Sequence, residues 1–137
     1  MKKIFVTLMV VLCSLGIAAA QDLEKATELY NNAATAIEND KQEAINLFEQ
    51  ALEMAGNLGE EGAEIAAQCK GIIPKLYMSL GKEFASNKDV ANAVEKLTKA
   101  IEVAKEFGDE EIAAEAQGLI PQLLMSDANG LLNEKKY

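Results

Sequence analysis

Ala44-Ile45-Asn46-Leu47-Phe48-Glu49-Gln50-Ala51-Leu52-Glu53 returns 49 residues later as Ala93-Val94-Glu95-Lys96-Leu97-Thr98-Lys99-Ala100-Ile101-Glu102. Small, large and small apolar residues recur at Ala44/Ala93, Phe48/Leu97 and Ala51/Ala100. A second block, Glu64-Ile65-Ala66-Ala67-Gln68-Cys69-Lys70-Gly71-Ile72-Ile73-Pro74, lies over Glu111-Ile112-Ala113-Ala114-Glu115-Ala116-Gln117-Gly118-Leu119-Ile120-Pro121 at an offset of 47, and Met78-Ser79 then lies over Met125-Ser126. The difference of two is expected to be absorbed in a loop near Gly62-Ala63. Two long blocks in register mean internal duplication, and periods of roughly 20–50 residues mark arrays of small supersecondary units.

Each unit reads as helices. Ala44, Phe48, Ala51, Ala55 and Leu58 step by three and four, as do Ala93, Leu97, Ala100, Ala104 and Phe107, and that spacing is one face of a helix. Ile45 and Leu52, with Val94 and Ile101 in the copy, widen the stripe toward a second neighbour, as stacked repeats require. Gly59 and Gly108 suit the left-handed residue that closes a helix. Asp40 with Glu43 suits a capping pair at a helix start. Ile65, Cys69 and Ile72, with Ile112, Ala116 and Leu119 in the copy, add a further helical segment. Pro74 and Pro121 then either start a new helix or kink a long one. No alternating run of β-branched residues stands anywhere, so the expected fold class is all-α.

Tyr77-x-x-Leu80-Gly81-x-x-Phe84, followed after nine residues by Ala93-x-x-x-Leu97-x-x-Ala100, resembles the tetratricopeptide repeat pattern. In that family aromatic and leucine knobs of the first helix enter holes left by small residues; here the small residues are Gly81, Ala93 and Ala100. Ala44, Phe48 and Ala51 match the second helix of an earlier copy, whose first helix matches only loosely at Leu29, Ala33 and Ala36. A third copy has Leu124, Ala128 and Leu131, with Asp127 where leucine belongs. The resemblance implies antiparallel helical hairpins stacked as a right-handed solenoid of about two and a half units, approximately residues 23–58, 60–107 and 109–137. Two departures stand out: the repeat is 47–49 residues against the family's ~34, and Lys105 occupies the place of the family's final proline.

Residues 1–20 read as an address. A basic Met1-Lys2-Lys3, an apolar run from Ile4 to Ile17 and Ala18-Ala19-Ala20 form the order of a secretory signal peptide cleaved before Gln21. The run is shorter than the ~20 apolar residues of a membrane span. Leu12 precedes Cys13 where a lipidated cysteine follows a small residue. The mature domain is then residues 21–137, exported to the periplasm or secreted, with no membrane insertion. Cleavage removes Lys2 and Lys3 and no acid, taking the net charge from −9 to −11. So acidic a chain, without a single arginine, has no electrostatic reason to approach nucleic acid.

Composition also weighs against catalysis. The chain has no histidine, which removes the commonest general base and metal ligand and every Ser-His or Cys-His nucleophile. Glu60-Glu61 and Asp109-Glu110-Glu111 lack calcium-loop spacing and sit at helix starts, where acids favour the helix dipole. Cys69 matches Ala116 in the copy, which makes it a small packed side chain. No cofactor is expected. The implied partner is a protein or peptide. The family positions that face the concave groove fall on Tyr30, on Lys75, Met78 and Lys82, and on Gln122, Met125 and Asn129, with Met78 and Met125 equally readable as core. Leu131-Leu132-Asn133-Glu134-Lys135-Lys136-Tyr137 lies over Phe84 to Val90, so the third unit stops where its second helix is due. Either the chain is a fragment of a longer repeat protein, or its last helix exposes an apolar edge that a partner or a second copy covers. A self-assembling module is therefore the rival to a partner-binding scaffold.

Overall fold

The structure, a computed structural model, describes residues 2–135, with side chains from residue 19 onward. The expected leader thus lies almost wholly outside the described side chains. The chain is 91% helix with no strand among the described residues. Its helices are α1 (Lys2–Ala36), α2 (Lys41–Asn57), α3 (Ala63–Ser86), α4 (Val90–Phe107) and α5 (Glu110–Glu134), with a 3-10 turn at Gly59–Gly62.

The duplication is visible in the helices themselves. Asp40 caps α2, its side chain accepting from the Glu43 N–H at 3.0 Å. Forty-nine residues on, Asp89 caps α4 by accepting from the Asn92 N–H. Each such cap satisfies one amide that the helix start leaves unpaired. The buried residues of α2 include Ala44, Phe48, Ala51 and Ala55, and those of α4 are Ala93, Leu97, Ala100 and Ala104, pairwise at the same offset. Gly59 and Gly108 both take positive φ, 62° and 80°. The change of offset from 49 to 47 falls at the 3-10 turn Gly59–Gly62: the second copy has only Gly108 and Asp109 between α4 and α5.

Pro74 and Pro121 both lie inside continuous helices. The extra helical segment is therefore fused to the following helix in each copy, although proline supplies no N–H to the turn before it. Packing divides the chain into two compact units, residues 1–69 and 70–137, and the boundary falls within α3.

In the first unit α1 packs on α2. Ala26 and Ala33 on α1 are fully buried, as are Ala44, Ile45, Phe48, Ala51 and Ala55 on α2; small residues on both helices let their backbones approach around the Phe48 ring. Gly62 is packed so tightly on α2 that a Cβ there would fall on the Ala55 carbonyl. In the second unit α4 packs on α5. Tyr77 and Leu80 are buried on α3, as are Ala93, Leu97 and Ala100 on α4 and Ile112, Ala113 and Ala116 on α5. Phe84 is half-buried. A Cβ on Gly81 would stand 2.8 Å from Leu97 Cγ and 3.2 Å from the Leu97 amide nitrogen, so α3 and α4 meet at that glycine.

Candidate partner-binding site

Tyr30 belongs to the first unit. Its ring meets that of Phe48 edge-on, with centroids 5.3 Å apart and planes at 72°, a favoured aromatic geometry. The sequence placed Tyr30 in a groove. The structure engages it in the contact between α1 and α2, because the largest knob of α2 sits directly against it.

The other six candidates lie in the second unit, three on α3 and three on α5. Met78 is 8% exposed and belongs to the core, whereas its repeat-mate Met125 is 66% exposed. Lys75, Lys82, Gln122 and Asn129 are exposed. Lys82 Nζ donates to Glu115 Oε1 at 2.7 Å, tying α3 to α5. Both side chains are about half exposed, and a pair so hydrated fixes geometry more than it adds stability.

Beside this bridge is a cavity of about 350 Å³, within the ~300–1,000 Å³ common for binding pockets. Ala85 of α3, Leu97 of α4 and Leu119 and Leu123 of α5 give it apolar walls, while Lys82, Ser86, Gln122 and Ser126 supply polar groups. A second hollow of about 450 Å³ shares Ala85, Leu123 and Ser126 and continues toward Lys88, Asp127 and Glu134. The two form one trough between the C-terminal end of α3 and the C-terminal half of α5. Of the residues expected in the groove, Lys82 and Gln122 line the cavity; Lys75, Met78, Met125 and Asn129 do not. Leu119, Leu123 and Ser126 were missed by sequence reasoning, although they stand three or four residues either side of Gln122 or next to it, on one face of α5.

The trough can seat an apolar side chain and hydrogen-bond its backbone. In it the Ser86 hydroxyl donates to the Lys82 carbonyl at 3.0 Å, and the chain has no histidine. The Cys69 thiol is fully buried, and burial pushes its pKa up to about 11. Among the described residues no cluster of three acidic or cysteine side chains could hold a metal ion, and no helix is long and apolar enough to cross a membrane. Compared with known proteins, the chain matches no family model, no curated protein and no solved structure.

Proposed function

We propose that the chain is an exported scaffold of tetratricopeptide-like repeats that binds a protein or peptide partner and catalyses nothing. The cavity between α3 and α5 carries the reading: apolar walls and a polar rim suit recognition. Charge supports it as well. Residues 65–82 contain Lys70, Lys75 and Lys82 and no acid, in a chain of net charge −9. An acidic partner segment meets less repulsion along that stretch than over the rest of the surface, with Lys82 already paired to Glu115.

A photo-cross-linking residue in place of Gln122, at the trough, and another in place of Glu102, exposed on α4, test the reading in cell envelopes. A discrete adduct at position 122 and none at 102 is the expected result. No adduct at 122, or equal adducts at both, overturns it.

The self-assembling module is the second reading. Its support is the exposed apolar set on α5, Leu124 at 50%, Leu131 at 53% and Leu132 at 61%, and light scattering over a micromolar concentration series tests it.

A further inference from the structure

Among the described side chains, the first that α1 buries is Ala26. Ahead of it Ala20, Gln21, Asp22, Glu24 and Lys25 are exposed, and Leu23 is half-buried. A cut after Ala20 therefore takes no described core side chain from the first unit. It does take hydrogen-bond acceptors. Each N–H of an α-helix bonds the carbonyl four residues earlier, so the amides of Gln21, Asp22, Leu23 and Glu24 lose the carbonyls of residues 17–20. What holds the shortened helix lies beyond them: the Thr27 hydroxyl donates to the Leu23 carbonyl at 2.8 Å, and Ala26 is fully buried. Gln21 and Asp22 stand ahead of that first held turn, in water and free to change conformation.

We propose that Gln21, once it is the N-terminal residue, closes to pyroglutamate and blocks the mature end of the chain. This rests on the export reading, because only cleavage before Gln21 supplies the amine. The neutral α-amine attacks the side-chain carbon Cδ, and a new C–N bond closes a five-membered lactam. The Cδ–Nε2 bond breaks, and Nε2 leaves as ammonia with the proton that the amine gives up. No oxidant, reductant or cofactor takes part. Glutamine has the reach for this, whereas asparagine in its place would need a strained four-membered ring.

Two features of α1 favour closure. The Gln21 side chain is exposed, so forming the ring breaks no packing contact. The open α-ammonium would also sit at the positive end of the helix dipole, where a cation is disfavoured. The lactam removes that charge and leaves Asp22 and Glu24, acids that the same end of the dipole favours. An aminopeptidase then finds no free amine to begin from.

The full chain, exported on its own leader and purified from the cell envelope, is held at physiological temperature and neutral pH. Intact mass and N-terminal sequencing follow it. Loss of one ammonia from the mass of residues 21–137 is expected as the protein ages, with sequencing blocked to the same extent. Pyroglutamyl peptidase should reopen the end and show Asp22 as the first residue. Gln21→Ala should keep its mass and its free amine, and Gln21→Glu should close far more slowly, since a carboxylate is a poor electrophile. A free Gln21 amine that persists for weeks overturns the proposal and leaves export standing. Ammonia loss that Gln21→Ala shares also overturns it, placing the reaction at an asparagine such as Asn129, which precedes Gly130. A mass that retains residues 1–20 overturns both readings.

Discussion

Gly81 and Leu97 are in contact so close that a Cβ on the glycine would lie 2.8 Å from Leu97 Cγ and 2.9 Å from Leu97 Cδ2. Leu97 is fully buried; its side chain borders the cavity, but its backbone nitrogen, 3.2 Å from the added Cβ, has no flexible end to swing aside. A larger side chain at position 81 must therefore displace helix α4. Gly81→Leu should cost ~1–3 kcal/mol. Lys99→Gln loses an exposed ion pair to Glu102 and should stay within ~0.5 kcal/mol. Denaturant midpoints of the two variants check this, and equal midpoints would place the repeat in a different register.

Three other glycines separate two effects. A Cβ at Gly62 meets the Ala55 backbone, which has no flexible end to swing aside, so Gly62→Ala should cost ~2 kcal/mol or more. Gly71 and Gly118 are repeat-mates inside α3 and α5 with nothing within 4 Å of a Cβ. Gly71→Ala and Gly118→Ala should each gain ~0.5–1 kcal/mol from better helix propensity. Thermal melts should order the variants with Gly62→Ala lowest and the other two above the parent protein. Destabilisation at Gly71 or Gly118 would mean that something covers those positions in solution.

Where residues recur in register, the sequence was sufficient for the helices and the faces they bury. The stripe Ala44, Phe48, Ala51, Ala55 and its copy predicted the faces that α2 and α4 bury, because a helix repeats its face every three or four residues. Asp40 announced its helix start through a local hydrogen bond that depends on no distant contact. Whether Pro74 and Pro121 break or continue their helices was not legible, since packing on neighbours decides whether a helix tolerates a missing N–H. The site was harder still. Met78 and Met125 are the same residue at the same repeat position, yet one is core and the other exposed, because burial depends on which helix lies alongside. Tyr30, half-buried, meets Phe48 edge-on, a contact that its spacing in the sequence does not show. Leu119 and Leu123 line a cavity in the fold, which their helical spacing alone does not reveal.

Export makes a separate prediction. Protein recovered from the cell envelope should have the mass of residues 21–137, since Ala18-Ala19-Ala20 follows an apolar run of signal length. Intact-mass spectrometry decides the matter. Retention of residues 1–20, or a lipid on Cys13, contradicts it.

Cys69 ties stability to pH in the alkaline range. The thiol is fully buried, and burial raises its pKa from 9.0 to about 11, since a thiolate in apolar surroundings lacks hydration. The folded state thus holds its proton where the unfolded chain has already released one. Stability is unaffected below pH 9 and falls as pH rises toward 11, because above pH 9 the native state binds the greater number of protons. The loss attributable to this thiol should approach ~2 kcal/mol by pH 11, one pKa unit being worth about 1.4 kcal/mol. The measurement is a comparison with Cys69→Ala, which isolates the thiol. Alanine already stands at the equivalent, fully buried position 116, which marks it as a side chain this packing accepts. Urea denaturation of the two proteins at pH 8 and pH 11 should show Cys69→Ala less stable or equal at pH 8. The gap should then close or reverse at pH 11 as only the parent loses the thiol contribution. Parallel stability curves across that interval would show that Cys69 is hydrated in solution, and rapid alkylation of the native protein at pH 8 would say the same.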